Sequence, residues 1–536
     1  MNRKKNLKQP TIKDSILLTP EYKENVRTAA RLGRKGYTIP KDTLSEKDIA
    51  CLKEELLVKP VEMKMNYGAP GAAGANSFPV YKENDKKIYI PRFYGVERYG
   101  LPDKSELQEG DDIDVTFDKQ VRDYQEHIIG VYMNHIGEPI SKNNTQNGNG
   151  GILEVPCGRG KTVMALKIIS NLQKKTLIIV HKEFLMNQWI DRIEEFLPGA
   201  RVGKIQGQKF DIEDKDIVIG MLQSLYDKDY GPTGFQSFGL TIVDEVHRIG
   251  SEQFSKTLLK VTTPNMLGIS ATVDRKDGLT KVLYMFIGTK IYSEERNDDD
   301  PVCVRALHFH TNDNEFNEVE VDYRGNTKYS TMITKLCAYD PRTRFIIKVL
   351  QDLLSEDPDK QIMVLCHNRS LLTAIYTYIR TWNDEEEMVG YYVGGMKQVD
   401  LEKTEKKRIV LATYAMAAEA LDIKTLSTLV MVTPKTDITQ SVGRILRVKH
   451  AKPIIVDIID QHDPFQKQWL QRRRYYKKCN YKIIQNNSKK YTNMMNAEDT
   501  NEWKLVFDPK DKTTKMDEDK ELKSDRKCLI AFDNLE

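Results

Sequence analysis

Short runs of Val, Ile and Leu recur along the chain between segments of helical periodicity. A first series comprises Leu177–Val180, Ile217–Ile219, Leu240–Val243 and Met266–Ile269. A second comprises Ile362–Cys366, Val389–Val393, Ile409–Thr413, Leu429–Val432 and Ile454–Ile458. The runs are continuous rather than alternating, the pattern of strands covered on both faces of a parallel sheet. Amphipathic stretches such as Glu183–Phe196 and Pro341–Leu354 lie between them. Alternating strands and helices predict an α/β architecture, and two series predict two doubly wound sheets.

The flanks read differently. Residues 1–115 are expected to form an N-terminal accessory domain. It has a helix near Ser45–Leu57, a small-residue loop at 68–77 and a β-like stretch ending KIYIPRFYG. NNTQNGNGG (143–151) is a second loop signal. The first sheet is assigned to 116–290, a connector to 291–340 and the second sheet to 341–484. Residues 485–536 read as a polar, mostly disordered tail with a short element at Trp503–Phe507.

Composition narrows the class. Over 536 residues, 40% are hydrophobic and 30% charged, which excludes a wholly disordered or collagen-like chain. No run of about 18 apolar residues exists, so no membrane span is expected. The basic start lacks an apolar segment behind it and does not read as a secretory signal. Seven scattered cysteines without a Cys-x2-Cys pair suggest neither a disulfide framework nor a zinc site, and fit a reducing, intracellular compartment. The net charge is only +4, but residues 1–36 hold 10 Lys/Arg against 3 Asp/Glu, and residues 435–480 hold 11 against 4. Such clusters are either a polyanion footprint or a solvated basic face.

Three short segments carry candidate chemistry. Val155-Pro-Cys-Gly-Arg-Gly-Lys-Thr162 follows the expected first strand and precedes a helical pattern. Glycines let backbone N–H groups approach phosphate, the helix start adds its dipole, Lys161 suits the β/γ-phosphates and Thr162 a Mg2+ ion. Val155 stands where the strict phosphate-loop pattern has its first Gly. Asp244-Glu245-Val246-His247 ends the third strand, where side chains face the ligand crevice of a parallel sheet. Asp244 is placed to hold Mg2+ and Glu245 to polarise water. Ser270-Ala271-Thr272 ends the next strand. Taken singly, each could be a turn, an exposed strand end or a structural hydroxyl pair.

Together and in this order, they resemble motifs I, II and III of superfamily 2 helicases. Arg122-Asp123-Tyr124-Gln125 resembles the element with which that superfamily reads adenine, and Ile219–Leu225 resembles a strand-contacting motif. Thr413 with Ala418-Glu-Ala-Leu-Asp422 resembles motif V, and Gln440-Ser-Val-Gly-Arg-Ile-Leu-Arg447 fits the motif VI pattern Q-x-x-G-R-x-x-R. The resemblance covers about residues 118–480. The stretches after motif III and motif VI resemble the branch holding the phage recombination helicase UvsW and the TFIIH translocase. The loop Pro-Cys-Gly-Arg-Gly-Lys-Thr resembles that of the transcript-release helicases of poxviruses and other large DNA viruses. Ala420 stands where the group commonly has Gly, and DEVH departs from the DEAD-box pattern.

The resemblance implies two tandem RecA-like P-loop NTPase domains, ATP and Mg2+ as cofactors, and 3′-to-5′ movement. It implies catalytic roles for Lys161, Asp244, Glu245, Gln440, Arg444 and Arg447, the last as an arginine finger. It implies nucleotide binding by Gln125, Pro156, Cys157, Gly158, Arg159, Gly160, Lys161, Thr162 and Asp422, with Thr162 and Asp244 on Mg2+. Ser270 and Thr272 would couple nucleotide state to closure. Candidate nucleic-acid contacts are His181, Lys182, Gln223, Ser224, Asn368, Arg369 and Thr413, with Arg472–Arg474, Tyr475 and Tyr476 open between phosphate contacts and a packed basic helix. The expected partner is DNA or RNA, with an RNA polymerase or transcription complex beside it, no membrane, and a monomeric chain. The implied role is transcript release in viral transcription, or recombination and repair. Two alternatives are a duplex-DNA translocase that separates no strands and the motor of a restriction-type nuclease.

Overall fold

The computed structural model describes residues 18–59, 77–137, 149–156, 158–231, 233–246, 252–273, 279–294, 302–419, 423, 425–438, 441–442, 452–494 and 502–510. The chain divides into two compact units, the first ending at Glu295 and the second running from Arg296.

The first unit opens with small strands: β1 (Arg31–Gly33), β2 (Gly36–Pro40), β3 (Leu57–Val58), β4 (Phe78–Pro79), β5 (Lys82–Glu83), β6 (Lys87–Ile90) and β7 (Lys104–Ser105). Five of them form a sheet in the order β5-β6-β2-β1-β7, and β3 pairs with β4. The helix near Ser45–Leu57 is Glu46–Glu55, capped by the Ser45 hydroxyl, which accepts from Asp48 N–H. The main sheet follows with β8 (Gly150–Glu154), β9 (Thr176–Val180), β10 (Val202–Gln206), β11 (Lys209–Phe210), β12 (Ile217–Met221), β13 (Leu240–Asp244), β14 (Asn265–Ser270) and β15 (Lys290–Ser293). Its order is β11-β10-β12-β9-β13-β14-β8-β15, parallel apart from the β10–β11 pair. β9 and β13 are buried at every residue, as their continuous apolar runs require.

The N-terminal elements do not fold around a core of their own. Val26, Tyr37, Ile39 and Phe93 belong to one apolar cluster with Ile152, Leu177, Ile179 and Val243 of the main sheet. Buried Arg92 joins the two parts, donating to the carbonyls of Thr263 (2.9 Å) and Pro264 (2.8 Å). Burial pushes its guanidinium down to about 10. Gly150 and Gly151, read as loop, begin β8 instead. A Cβ on Gly150 would lie 2.2 Å from Phe93 Cζ and 2.3 Å from the Ile287 carbonyl, so glycine here permits close packing rather than a turn.

The second unit holds β16 (Cys303–Phe309), β17 (Gln361–Cys366), β18 (Val389–Tyr392), β19 (Ile409–Thr413), β20 (Leu426–Met431), β21 (Ile454–Asp460), β22 (Lys482–Asn487) and β23 (Lys504–Phe507). The order is β18-β19-β17-β20-β21-β16-β22-β23, parallel apart from β22–β23. Two expectations are corrected here. Residues 291–340 are not a simple connector, because β16 pairs with both β21 and β22 inside the sheet and Tyr329–Ala338 is a helix. Residues 485–510 are not a disordered tail in their described part. β22 runs through Asn487, and Tyr491, Met494 and Trp503 are buried in the apolar core of this unit. Among the described residues, no helix is long and apolar enough to cross a membrane.

Two buried arginines brace this sheet. Arg342 donates to Asp460 through Nε (2.6 Å) and Nη2 (2.8 Å) and to the Val432 carbonyl (2.8 Å). Arg472 donates to Asp457 through Nε (2.7 Å) and Nη2 (2.9 Å), and the Tyr476 hydroxyl adds a third bond to that carboxylate (3.2 Å). Arg472 and Tyr476 are therefore packed inside and reach no phosphate, while Arg474 is exposed on the same helix, Asp463–Lys478. Removing one partner of such a pair strands the other charge. Arg472→Ala should cost about 3–5 kcal/mol in urea unfolding, whereas Arg474→Ala should change stability by no more than about 0.5 kcal/mol. Equal effects would refute the structural role of Arg472.

Candidate functional site

The carboxyl ends of β8, β13 and β14 carry the three segments singled out from the sequence. Beyond β8, Gly158 (φ 84°) and Gly160 (φ 79°) are in the left-handed region. A Cβ on Gly160 would meet Gln125 Nε2 at 2.4 Å, so both backbone and space call for glycine. The helix Lys161–Leu172 starts at once, and no side chain caps it. Its first N–H groups thus present a positive, anion-accepting end.

Gln125 supports this turn from the helix Asp123–Gly137. Its Oε1 accepts from Arg122 N–H (2.9 Å) and its Nε2 donates to the Arg159 carbonyl (3.0 Å). The Arg159 guanidinium does not project freely toward a ligand. It lies 3.8 Å over the Tyr124 ring and forms an ion pair with Glu294, with Nε at 3.2 Å from Oε2. Its expected place as a nucleotide ligand is thus modified: main chain and side chain both shape the loop wall.

Across from the loop, Lys161 Nζ lies 3.9 Å from Glu245 Oε1. Asp244 is buried, with Oδ2 accepting from Trp189 Nε1 (2.9 Å) and Oδ1 from Glu245 N–H (2.8 Å). Burial and then the Glu245 carboxylate push Asp244 up to about 6, against the opposing effects of Trp189 and Lys161. Glu245 has φ 50°, left-handed backbone that is costly for a side chain this size and recurs at functional sites. A buried carboxylate beside a second one is a donor set suited to a hard cation, with Thr162 at the adjoining helix start.

Ser270 donates to the Thr272 carbonyl (2.7 Å), fixing the turn after β14. Glu154 then binds the segment after β14 and both ends of β15: it accepts from Val273 N–H (2.7 Å), Lys290 Nζ (2.7 Å) and Ser293 Oγ (2.6 Å). Burial pushes its carboxyl up, but these donors outweigh that and hold it below the ordinary glutamate range. Glu154, Trp189 and Glu294 were not anticipated. Trp189 lies on an amphipathic helix and reads as core, and nothing local in the sequence ties it to Asp244.

The nucleic-acid candidates fall in both units. His181 and Lys182 follow β9, Lys182 preceding the helix Glu183–Phe196. Gln223 is exposed and donates to Asp227 (2.8 Å). Ser224 is buried and its hydroxyl accepts from Gly207 N–H (2.9 Å), so its role is to hold that turn. Asn368 caps the helix Arg369–Trp382, accepting from Ser370 N–H (2.9 Å), and Arg369 donates to the Gly394 carbonyl. Thr413 ends β19. Cys157, Asp422, Gln440, Arg444 and Arg447 lie outside the described residues.

Comparisons with known proteins extend this picture. The family model described as type III restriction enzyme, res subunit, matches residues 118–275, and that described as helicase conserved C-terminal domain matches 346–450. A protein of Acanthamoeba polyphaga mimivirus described as "Putative ATP-dependent RNA helicase" is 35% identical over 468 residues, 86% of this chain and 87% of that one. A protein of the same description from African swine fever virus is 29% identical over 358 residues, 62% of this chain and 69% of that one. The DNA 3'-5' translocase XPB2 of Sulfurisphaera tokodaii is 29% identical over 211 residues, 38% of this chain and 43% of that one.

The Trp189–Asp244 bond generates a test. Trp189→Phe keeps a ring in the core and removes the N–H. Half-saturating Mg2+ for binding of a fluorescent ATP analogue should rise by about 10-fold, the lower range for losing a group that orients a metal ligand. An unchanged Mg2+ dependence in a folded variant would show that Asp244 is oriented by other groups.

Proposed function

The chain belongs to the superfamily 2 helicases, with two RecA-like domains and ATP-dependent, nucleic-acid-dependent activity, and on that premise we propose that it drives transcript release in viral transcription. The observation that carries the site assignment is the facing of an uncapped phosphate-loop helix and the Asp244–Glu245 pair, with Lys161 between them. The loop N–H groups and the Lys161 ammonium hold the β- and γ-phosphates. Glu245 orients the attacking water and accepts its proton. Asp244, held by Trp189, and Thr162 would hold Mg2+, which neutralises phosphate charge. Arg447, with Arg444 beside it in motif VI, supplies further positive charge to the γ-phosphate, and Ser270 and Thr272 couple nucleotide state to motion. Nucleic acid is engaged by backbone contacts that carry no sequence information.

Support for RNA comes from the viral relatives described as RNA helicases. The XPB2 likeness favours a second reading, a translocase on duplex DNA. ATPase rates with single-stranded DNA, duplex DNA, RNA and hybrid separate them: RNA or hybrid should stimulate most under the first, and duplex DNA under the second.

The residue roles make distinct demands. Glu245→Gln should keep nucleotide affinity and lower stimulated turnover by at least about 10², the range for a lost general base. Lys161→Ala should weaken nucleotide binding itself. Arg447→Ala should leave nucleotide affinity of the free protein little changed and lower stimulated turnover by about 10³ or more. Arg447→Lys should not restore it, since an ammonium lacks the planar fork. Normal turnover in all of these variants would overturn the site.

A further inference from the structure

The N-terminal segment and the first main sheet enclose a cleft of about 370 Å³, lined by Pro79, Tyr81 and Lys82 on one side and by Tyr226, Asp227, Lys256 and Lys260 on the other. Tyr226 belongs to the short helix Leu222–Asp227, which follows β12 directly and exposes Gln223.

Its cations are gathered rather than dispersed. Arg34 and Lys35 from the turn between β1 and β2 act on Lys82 together with Lys260. Lys260 is fixed by the carbonyls of Leu225 (3.2 Å), Tyr226 (2.6 Å) and Lys228 (2.7 Å), which absorb its hydrogen bonds but not its charge. Lys256 pairs with Glu252 (2.7 Å) and lies 5.6 Å over the Tyr226 ring. Asp227 and Asp229 also act on Lys260, and Asp227 already accepts from Gln223. Three lysines, Lys82, Lys256 and Lys260, thus line the cleft with one carboxylate, Asp227. Among the described residues Lys82 makes no ion pair. Burial first, then Lys260, Lys35 and Arg34, hold it below the ordinary lysine range against the opposing charge of Asp229. Like charges held together in a half-buried cleft are unfavourable alone and are relieved by an anion.

We propose that this cleft binds a phosphodiester of the nucleic-acid strand, with Lys82 as its principal contact, so that the N-terminal segment extends the strand's path beyond the main sheet. The occupant is nucleic acid because ammonium groups beside aromatic rings suit a backbone with stackable bases. The inference rests on the motor reading above, and it gives the N-terminal segment a direct part in substrate binding.

The test measures binding of fluorescently labelled single-stranded RNA and duplex DNA by anisotropy across a potassium chloride series. Lys82→Gln removes the charge and keeps a polar side chain; Lys82→Glu reverses it. Affinity should fall about threefold for Gln and about tenfold for Glu, and the log–log salt slope should become shallower by about 0.7–0.9 for the lost contact. The melting temperature should move by no more than about 2 °C, and if Lys82→Glu unfolds, Lys82→Gln decides. Wild-type affinity and slope in Lys82→Gln overturn the proposal, and are also what an acidic protein occupant would give. A wild-type chain that binds no nucleic acid at all would instead sink the motor reading.

Discussion

The parallel register of β13, β14 and β8 is the constraint on which the candidate site depends. Glu154 pairs with Ser270, and Asp244 with Ile269, so three strand ends finish in one row. Side chains on a strand alternate between faces, and a slip of one residue would turn each of these groups to the wrong side. Burial of the strands on both faces makes such a slip costly. Glu154 then ties the row to Val273 and to β15, so the loop carrying Lys161 and the segment after Ser270 shift together or not at all.

Within that frame the dominant cost is electrostatic. Asp244 is a buried carboxylate with a second carboxylate beside it, and its pKa is raised for that reason. Trp189 and Lys161 offset part of the cost, and the remainder suits a cation and the phosphates it accompanies. Arg342–Asp460 and Arg472–Asp457 solve a related problem in the second unit by two-point pairing of guanidinium with carboxylate, which leaves them structural. Similar residue types thus serve opposite ends: open coordination at the strand ends of the first unit, closed ion pairs inside the second.

The N-terminal segment shows how packing redistributes charge. Phe93, Gly150 and Arg92 make it part of the first unit's core rather than a tethered domain. That rigid seat brings Lys82 beside Tyr226 and Lys260, residues separated from it by well over a hundred positions in sequence. Cations that read as ordinary solvated charges in the sequence become a concentrated field only through this docking.

The sequence by itself determined the elements whose signal is local. Leu177–Val180, Leu240–Val243 and Ile409–Thr413 announce buried strands by composition alone, and Glu183–Phe196 announces its helix by period. Gly160-Lys161-Thr162 and Asp244-Glu245 announce chemistry because phosphate and metal chemistry demand those residue types at strand ends. The tertiary structure decided everything that needs a distant partner. It turned Arg472 and Tyr476 inward onto Asp457, committed Ser224 to Gly207, set Trp189 on Asp244, and took Cys303–Phe309 from an expected connector into the sheet. The reason is that a polar side chain's role is set by what neutralises it once water is excluded, and that partner can lie anywhere along the chain.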